Sequence, residues 1–199
     1  MTGTLSVRRL DRTEAETRFD ELARLRITVF REFPYLYDGD ADYERRYLST
    51  YFASPQAVVI GALDGERLVG AATAAPLALH AAEFAQPFAE AGLDPSAFYY
   101  FGESILEAPW RGRGIGVRFF EEREQAARDF GFNACVFCAV RRPPTHPARP
   151  DSYLPLDAFW RRRGYRRIEG LSTEFSWREI GEPRESPKPM DFWMRPLAD

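Results

Sequence analysis

Six consecutive residues, Arg111-Gly112-Arg113-Gly114-Ile115-Gly116, carry the chain's clearest potential for ligand chemistry. They follow an apolar, strand-like run from Phe98 to Leu106. After them Ile115, Phe119, Phe120, Ala126, Ala127 and Phe130 recur at helical spacing, and Gly131 is placed to cap the end. Glycines at a helix start leave backbone N–H groups uncovered and let a ligand approach closely. Those N–H groups, the positive end of the helix dipole and two arginines together suit a phosphate. A tight strand-to-helix turn would explain one glycine, but not three glycines and two arginines in six residues. Two common phosphate loops are excluded: the dinucleotide fingerprint needs a glycine where Val117 stands, and the triphosphate loop needs a Gly-Lys-Ser/Thr ending that is absent.

A second chemistry-bearing pattern is Cys135-x-x-Cys138. Such a pair is redox-active at a helix start, or metal-binding with further ligands. Here it lies inside the apolar run Phe132 to Val140. Residues three apart on a strand face opposite sides, so both thiols are expected to be buried, and no metal site is expected.

The surrounding elements read as follows. Leu5 to Leu10 is a strand. Thr13 to Phe30 is a helix, with Thr13 and Glu16 spaced as a capping box. An aromatic loop, Phe33 to Asp40, leads to a helix over Asp42 to Phe52. Ala57 to Leu63 and Arg67 to Ala75 are strands joined by a hairpin at Asp64-Gly65. Pro76 to Ala97 is ambiguous, with room for a short helix. Five prolines make 141–155 irregular. A short helix, Pro155 to Arg163, ends at Gly164. Tyr165 to Arg167, Thr173 to Ile180 and Met190 to Pro196 read as terminal strands, with a proline-rich stretch, Glu182 to Pro189, before the last.

The 199 residues fit a single domain, 1–199, and 45% hydrophobic content supports a real core. Net charge of −3 with arginines scattered among acids gives no nucleic-acid footprint. Met1 to Glu16 carry no apolar signal region, and no apolar run approaches the roughly 20 residues that cross a bilayer, so a cytoplasmic protein is expected.

The pattern R-x-x-G-x-G resembles the coenzyme A pyrophosphate loop of the GNAT N-acetyltransferase superfamily. The order of elements is similar too, as is Phe159-Trp160-Arg161-Arg162-Arg163-Gly164-Tyr165, which resembles that superfamily's aromatic helix before a glycine-aromatic turn. The resemblance implies an α/β (α+β) fold: a mixed, mostly antiparallel central sheet with splayed central strands and helices on both faces. It implies acetyl-CoA as cofactor and transfer of its acyl group to a primary amine, without metal or covalent enzyme intermediate. Ser104, Ile105 and Leu106 would pair with the pantetheine arm, and the N–H groups of Arg111 to Val117 would hold the pyrophosphate. An alkyl ammonium is only about 0.04% neutral at pH 7, so a base helps. The resemblance puts Glu103 in that role and the Leu106 N–H against the oxyanion. The superfamily's tyrosine acid is replaced by Trp160, so either the thiolate, with a thiol pKa of about 8.5, leaves unaided, or Tyr153 or another tyrosine substitutes. Glu32, Phe33, Tyr35, Tyr37, Tyr100, Arg142 and His146 are expected around the acceptor, and their mixed charges imply an amino-acid-like zwitterion. Trp160 also keeps open a competing class, a coenzyme A-binding or sensing module without catalysis. Phe192-Trp193-Met194, in a terminal strand, offers an edge for a homodimer.

Overall fold

The computed structural model describes residues 4–51 and 54–197. Met1 and the expected helix end at Phe52 lie outside the described residues. In chain order the elements are β1 (Leu5–Leu10), α1 (Arg12–Thr17), α2 (Phe19–Phe30), α3 (Ala41–Tyr51), β2 (Val58–Asp64), β3 (Arg67–Pro76), α4 (Ala82–Glu90), β4 (Phe98–Leu106), α5 (Ile115–Asp129), β5 (Ala134–Val140), α6 (Asp157–Arg162), β6 (Arg166–Trp177) and β7 (Ser186–Pro196). One sheet runs β1-β2-β3-β4-β5-β7-β6. Only the β4–β5 pair is parallel. The expected mixed, mostly antiparallel sheet is therefore present. No described helix is long and apolar enough to cross a membrane.

Strand alternation sorts the core into two layers. Val59, Ala71 and Ile105 face α2 and α3, where they bury Leu22, Leu25 and Leu48. Their neighbours Ile60 and Ala72 face α5 and bury Ile115 and Phe119. Helices thus cover both faces. The two cysteines divide in the same way: Cys135 joins the cluster with Phe120 and Tyr165, and Cys138 the one with Phe98 and Trp177. Both are free thiols whose burial pushes their pKa up to about 12, so neither is a nucleophile at neutral pH.

Several sequence expectations need correction. The first helix is two, broken at Arg18, whose guanidinium reaches out to the Glu66 carbonyl and to Glu21. Its cap is Asp11, accepting from the Glu14 N–H, rather than Thr13. The first hairpin turns at Gly65-Glu66, because Asp64 already pairs with Arg67. The last hairpin absorbs Pro187 and Pro189 into β7 and merges two expected strands into β6. Those prolines pair only with β6, beyond the point where β5 begins to pair at Met190, so their missing N–H groups break no ladder bond there. β7 lies inside the sheet with Phe192 and Trp193 buried, so this segment is not a free edge for a second subunit.

Candidate active site

The glycine loop makes a cradle of open backbone donors. Gly112 and Gly114 take φ of +75° and +81°, conformations that strain any residue with a Cβ. Gly114 is the residue before α5. Among the described residues no backbone carbonyl accepts from the N–H groups of Gly112 to Gly116. The Arg111 N–H donates to the Ala108 carbonyl and that of Val117 to the Gly114 carbonyl, so the cradle is narrower than Arg111 to Val117. A Cβ on Gly112 or Gly114 would meet nothing within 4 Å, so the space above is clear. Five open donors at the start of a 15-residue helix fit a pyrophosphate. The two arginines differ. Arg111 is held by Glu32 in a bidentate pair at 2.7 and 3.1 Å and donates to the Leu106 carbonyl. Arg113 lies over the Trp110 ring and makes no ion pair among the described residues.

Beside the cradle the sheet opens. β4 and β5 pair only from Phe98↔Ala134 to Tyr100↔Val136. Beyond that point β5 stays with β7 and β4 with β3, so the β5-facing edge of 101–106 has no strand partner among the described residues. The Glu107 N–H donates to the Val69 carbonyl across β3. Alternation in an antiparallel ladder then turns the N–H groups of Leu106 and Ser104 the other way, into the opening.

A β-bulge controls what this strand presents. The β3–β4 register slips between Ala72 and Ala74, opposite Gly102 and Glu103. The extra residue reverses the alternation: Phe101 packs toward α5, while Ile105 and Glu103 face α2. Arg123, 1% exposed, fills the bulge from α5. It donates to the carbonyls of Thr73 at 3.4 Å and Glu103 at 3.1 Å and to Ser104 Oγ at 2.8 Å, with its guanidinium 4.2 Å from the Phe101 ring centroid. Burial lowers its pKa to about 10, still high enough to keep it charged.

Glu103 opens onto a cavity of about 110 Å³ between α2, α3, α4 and the β6–β7 hairpin. Its walls are aromatic, including Tyr35, Tyr37, Tyr43, Tyr47, Phe175 and Trp177. On its floor Arg26 bonds Glu44 through Nε and sets Nη1 2.7 Å from Glu103 Oε2, off the donor axis. The Tyr47 hydroxyl donates to the same oxygen at 3.3 Å. Burial raises the Tyr35 phenol above its ordinary range, helped by Cys138, Tyr153 and Glu103, so it stays protonated.

The Acetyltransferase (GNAT) family profile matches residues 21–165, most of the chain. The chain belongs to the GNAT family. That family uses acetyl-CoA as its acetyl donor. Among solved structures, a ribosomal-protein-alanine N-acetyltransferase from Brucella melitensis superposes with a TM-score of 0.63 at 13% identity, covering 96% of this chain and 99% of that one. An aminoglycoside 6'-acetyltransferase type Ii gives 0.60 at 15% identity and covers 98% of both chains. A Salmonella typhimurium protein solved with its cofactor acetyl-CoA gives 0.60 at 11% identity, covering 98% of this chain and 95% of that one. At these identities the likeness is one of fold. No curated protein matches the chain in sequence.

The GNAT frame brings together some of the expected residues and separates others. Glu103, Tyr35, Tyr37 and Tyr100 line the cavity. Glu32 does not; its carboxylate is taken up by Arg111. Arg142 is not an open cation either: it donates to the Pro34 and Tyr35 carbonyls and pairs with Glu179. Phe33, His146 and Tyr153 form an aromatic cluster that pins the proline-rich loop, with Arg149 over the Tyr153 ring. Tyr153 is thus outside the cavity lining. Trp160 is packed on Phe137 and Trp193. Arg26, Tyr47 and Arg123 were missed by the sequence reading. Their signal was available: Arg26 follows Leu22 by four residues and Arg123 follows Phe119 by four, which puts both arginines on buried helix stripes.

Proposed function

We propose that the protein is an acetyl-CoA-dependent N-acetyltransferase that acetylates the primary amine of a small molecule by direct attack in a ternary complex. The observation that carries this reading is the adjacency of an open N–H cradle, a splayed strand edge and a carboxylate-bearing cavity along one strand, β4. The N–H groups of Gly112 to Gly116 hold the pyrophosphate and Arg113 adds charge, while Arg111 braces the loop against Glu32. Ser104 and Leu106 pair with the pantetheine arm along the open edge, while the Ile105 backbone faces β3. Bound acetyl-CoA supplies the activated acyl group. Glu103 takes a proton from the acceptor ammonium, directly or through water, leaving a neutral nucleophile. The Leu106 N–H, aimed into the opening, stabilises the negative charge that develops on the carbonyl oxygen. Tyr35, in the cavity and protonated, donates to the departing thiolate in place of the tyrosine that Trp160 replaces. The test is thiol release from acetyl-CoA across a panel of primary amines. Amine-dependent release with intersecting initial-rate lines supports the reading. Tight acetyl-CoA binding without turnover on any amine would make the protein a binding module instead.

A further inference from the structure

Resting on that reading, we infer that the acceptor is a compact apolar monocation: a primary ammonium on an aromatic or branched body, without a carboxylate. Two observations converge on this class. The first is charge. Within the cavity floor one guanidinium, Arg26, faces two carboxylates, Glu44 and Glu103, all three at least nine-tenths buried. A further carboxylate, Glu185, stands exposed on the lining. Arg26 is the only cation among the described lining residues, and it is committed to the two glutamates. A buried group of charges with one carboxylate in excess is stabilised by an incoming cation. A carboxylate on the ligand would meet no free partner there. Arg142, the cation the sequence offered for that purpose, is bound to Glu179 and to two backbone carbonyls.

The second observation is shape and surface. The lining is dominated by rings from α2, α3, α4, β4 and β6 and the loop after α2, several of them tyrosines. Ring faces attract an ammonium through their quadrupole and also bury an apolar body. At about 110 Å³ the cavity is smaller than the roughly 150 Å³ that takes benzene in another protein, so it leaves room for no more than one ring-sized group. A zwitterionic amino acid does not match the charge.

The experiment compares three ligands of one skeleton on the full chain: 2-phenylethylamine, phenylalanine and 2-phenylethanol. Two readouts are used, thermal shift without acetyl-CoA and thiol release with it. The amine is expected to raise the melting temperature at concentrations at least tenfold lower than the amino acid or the alcohol. It is also expected to support thiol release with at least tenfold higher kcat/KM than phenylalanine. Glu44→Gln, which removes the excess carboxylate, should cut the preference for amine over alcohol at least tenfold. If that variant fails to fold, the ligand series on the native chain decides alone. Equal or better binding and turnover of phenylalanine would overturn the acceptor class while leaving the transferase reading intact. Binding of the amine without thiol release would support the class and remove the transferase reading. No shift and no turnover with 2-phenylethylamine would overturn the class.

Discussion

Gly114 and Gly116 stand two residues apart in the same loop, yet alanine should act differently at each. Gly114 precedes α5 with φ of +81°, where a Cβ costs roughly 1–2 kcal/mol of backbone strain. For a chain of this length, 1 kcal/mol lowers the melting temperature by about 2–4 °C. The loop relieves strain by rotating its peptide planes, which turns at least one cradle N–H away. A hydrogen bond to a charged group is worth about 1.5–3 kcal/mol, so one lost donor raises the acetyl-CoA KM by about ten- to a hundredfold. Gly116 lies within the helix, and its Cβ would meet only Phe159 Cζ at 3.6 Å, an ordinary contact. Gly116→Ala should therefore keep or raise stability, by up to about 1 kcal/mol, and leave KM for acetyl-CoA unchanged. The assay pairs thermal melts with initial rates at varied acetyl-CoA. Equal damage from the two substitutions, or a harmless Gly114→Ala, would refute the cradle geometry.

Glu103→Gln should lower kcat by about 10²–10⁴ with little change in the acetyl-CoA KM, and initial rates at saturating amine check this. Arg123→Met should strip the bulge carbonyls of Thr73 and Glu103 of their donor, at about 1–3 kcal/mol for each unsatisfied group, seen as a lowered urea midpoint. Burial depresses the His80 pKa to about 4, below the usual 6.5, so as pH falls the unfolded chain takes up the proton first. Native stability should then fall from pH 6.5 towards 4 and be insensitive to this group above 6.5; melts of His80→Phe should show a weaker acid dependence over that window.

What the sequence disclosed was local. The glycine loop and the α5 stripe need only neighbours within a turn or two, and Gly131 caps that helix as its position implied, with the Phe132 N–H reaching back to the Ala127 carbonyl. The β1 boundaries follow from simple alternation. What stayed hidden depended on distant partners. Glu32 and Arg111 are 79 residues apart, and Arg142 and Glu179 are 37 apart, so nothing near either residue shows that its charge is spent. The bulge at Glu103 is a property of two strands together. Unbroken alternation along Phe101, Glu103 and Ile105 would put all three on one face, and only the slipped pairing with Thr73 turns Glu103 toward Arg26. Both buried arginines needed the opposing layer before their roles could be read.

The donor site is tested most directly by mapping backbone amide shifts as coenzyme A is titrated into ¹⁵N-labelled protein. The largest changes should fall on the amides of Gly112 to Gly116, with Ser104 and Leu106 next and Val117 smaller, since its N–H is already bonded to Gly114. Saturable binding that left the amides of 112–116 unmoved would contradict the account.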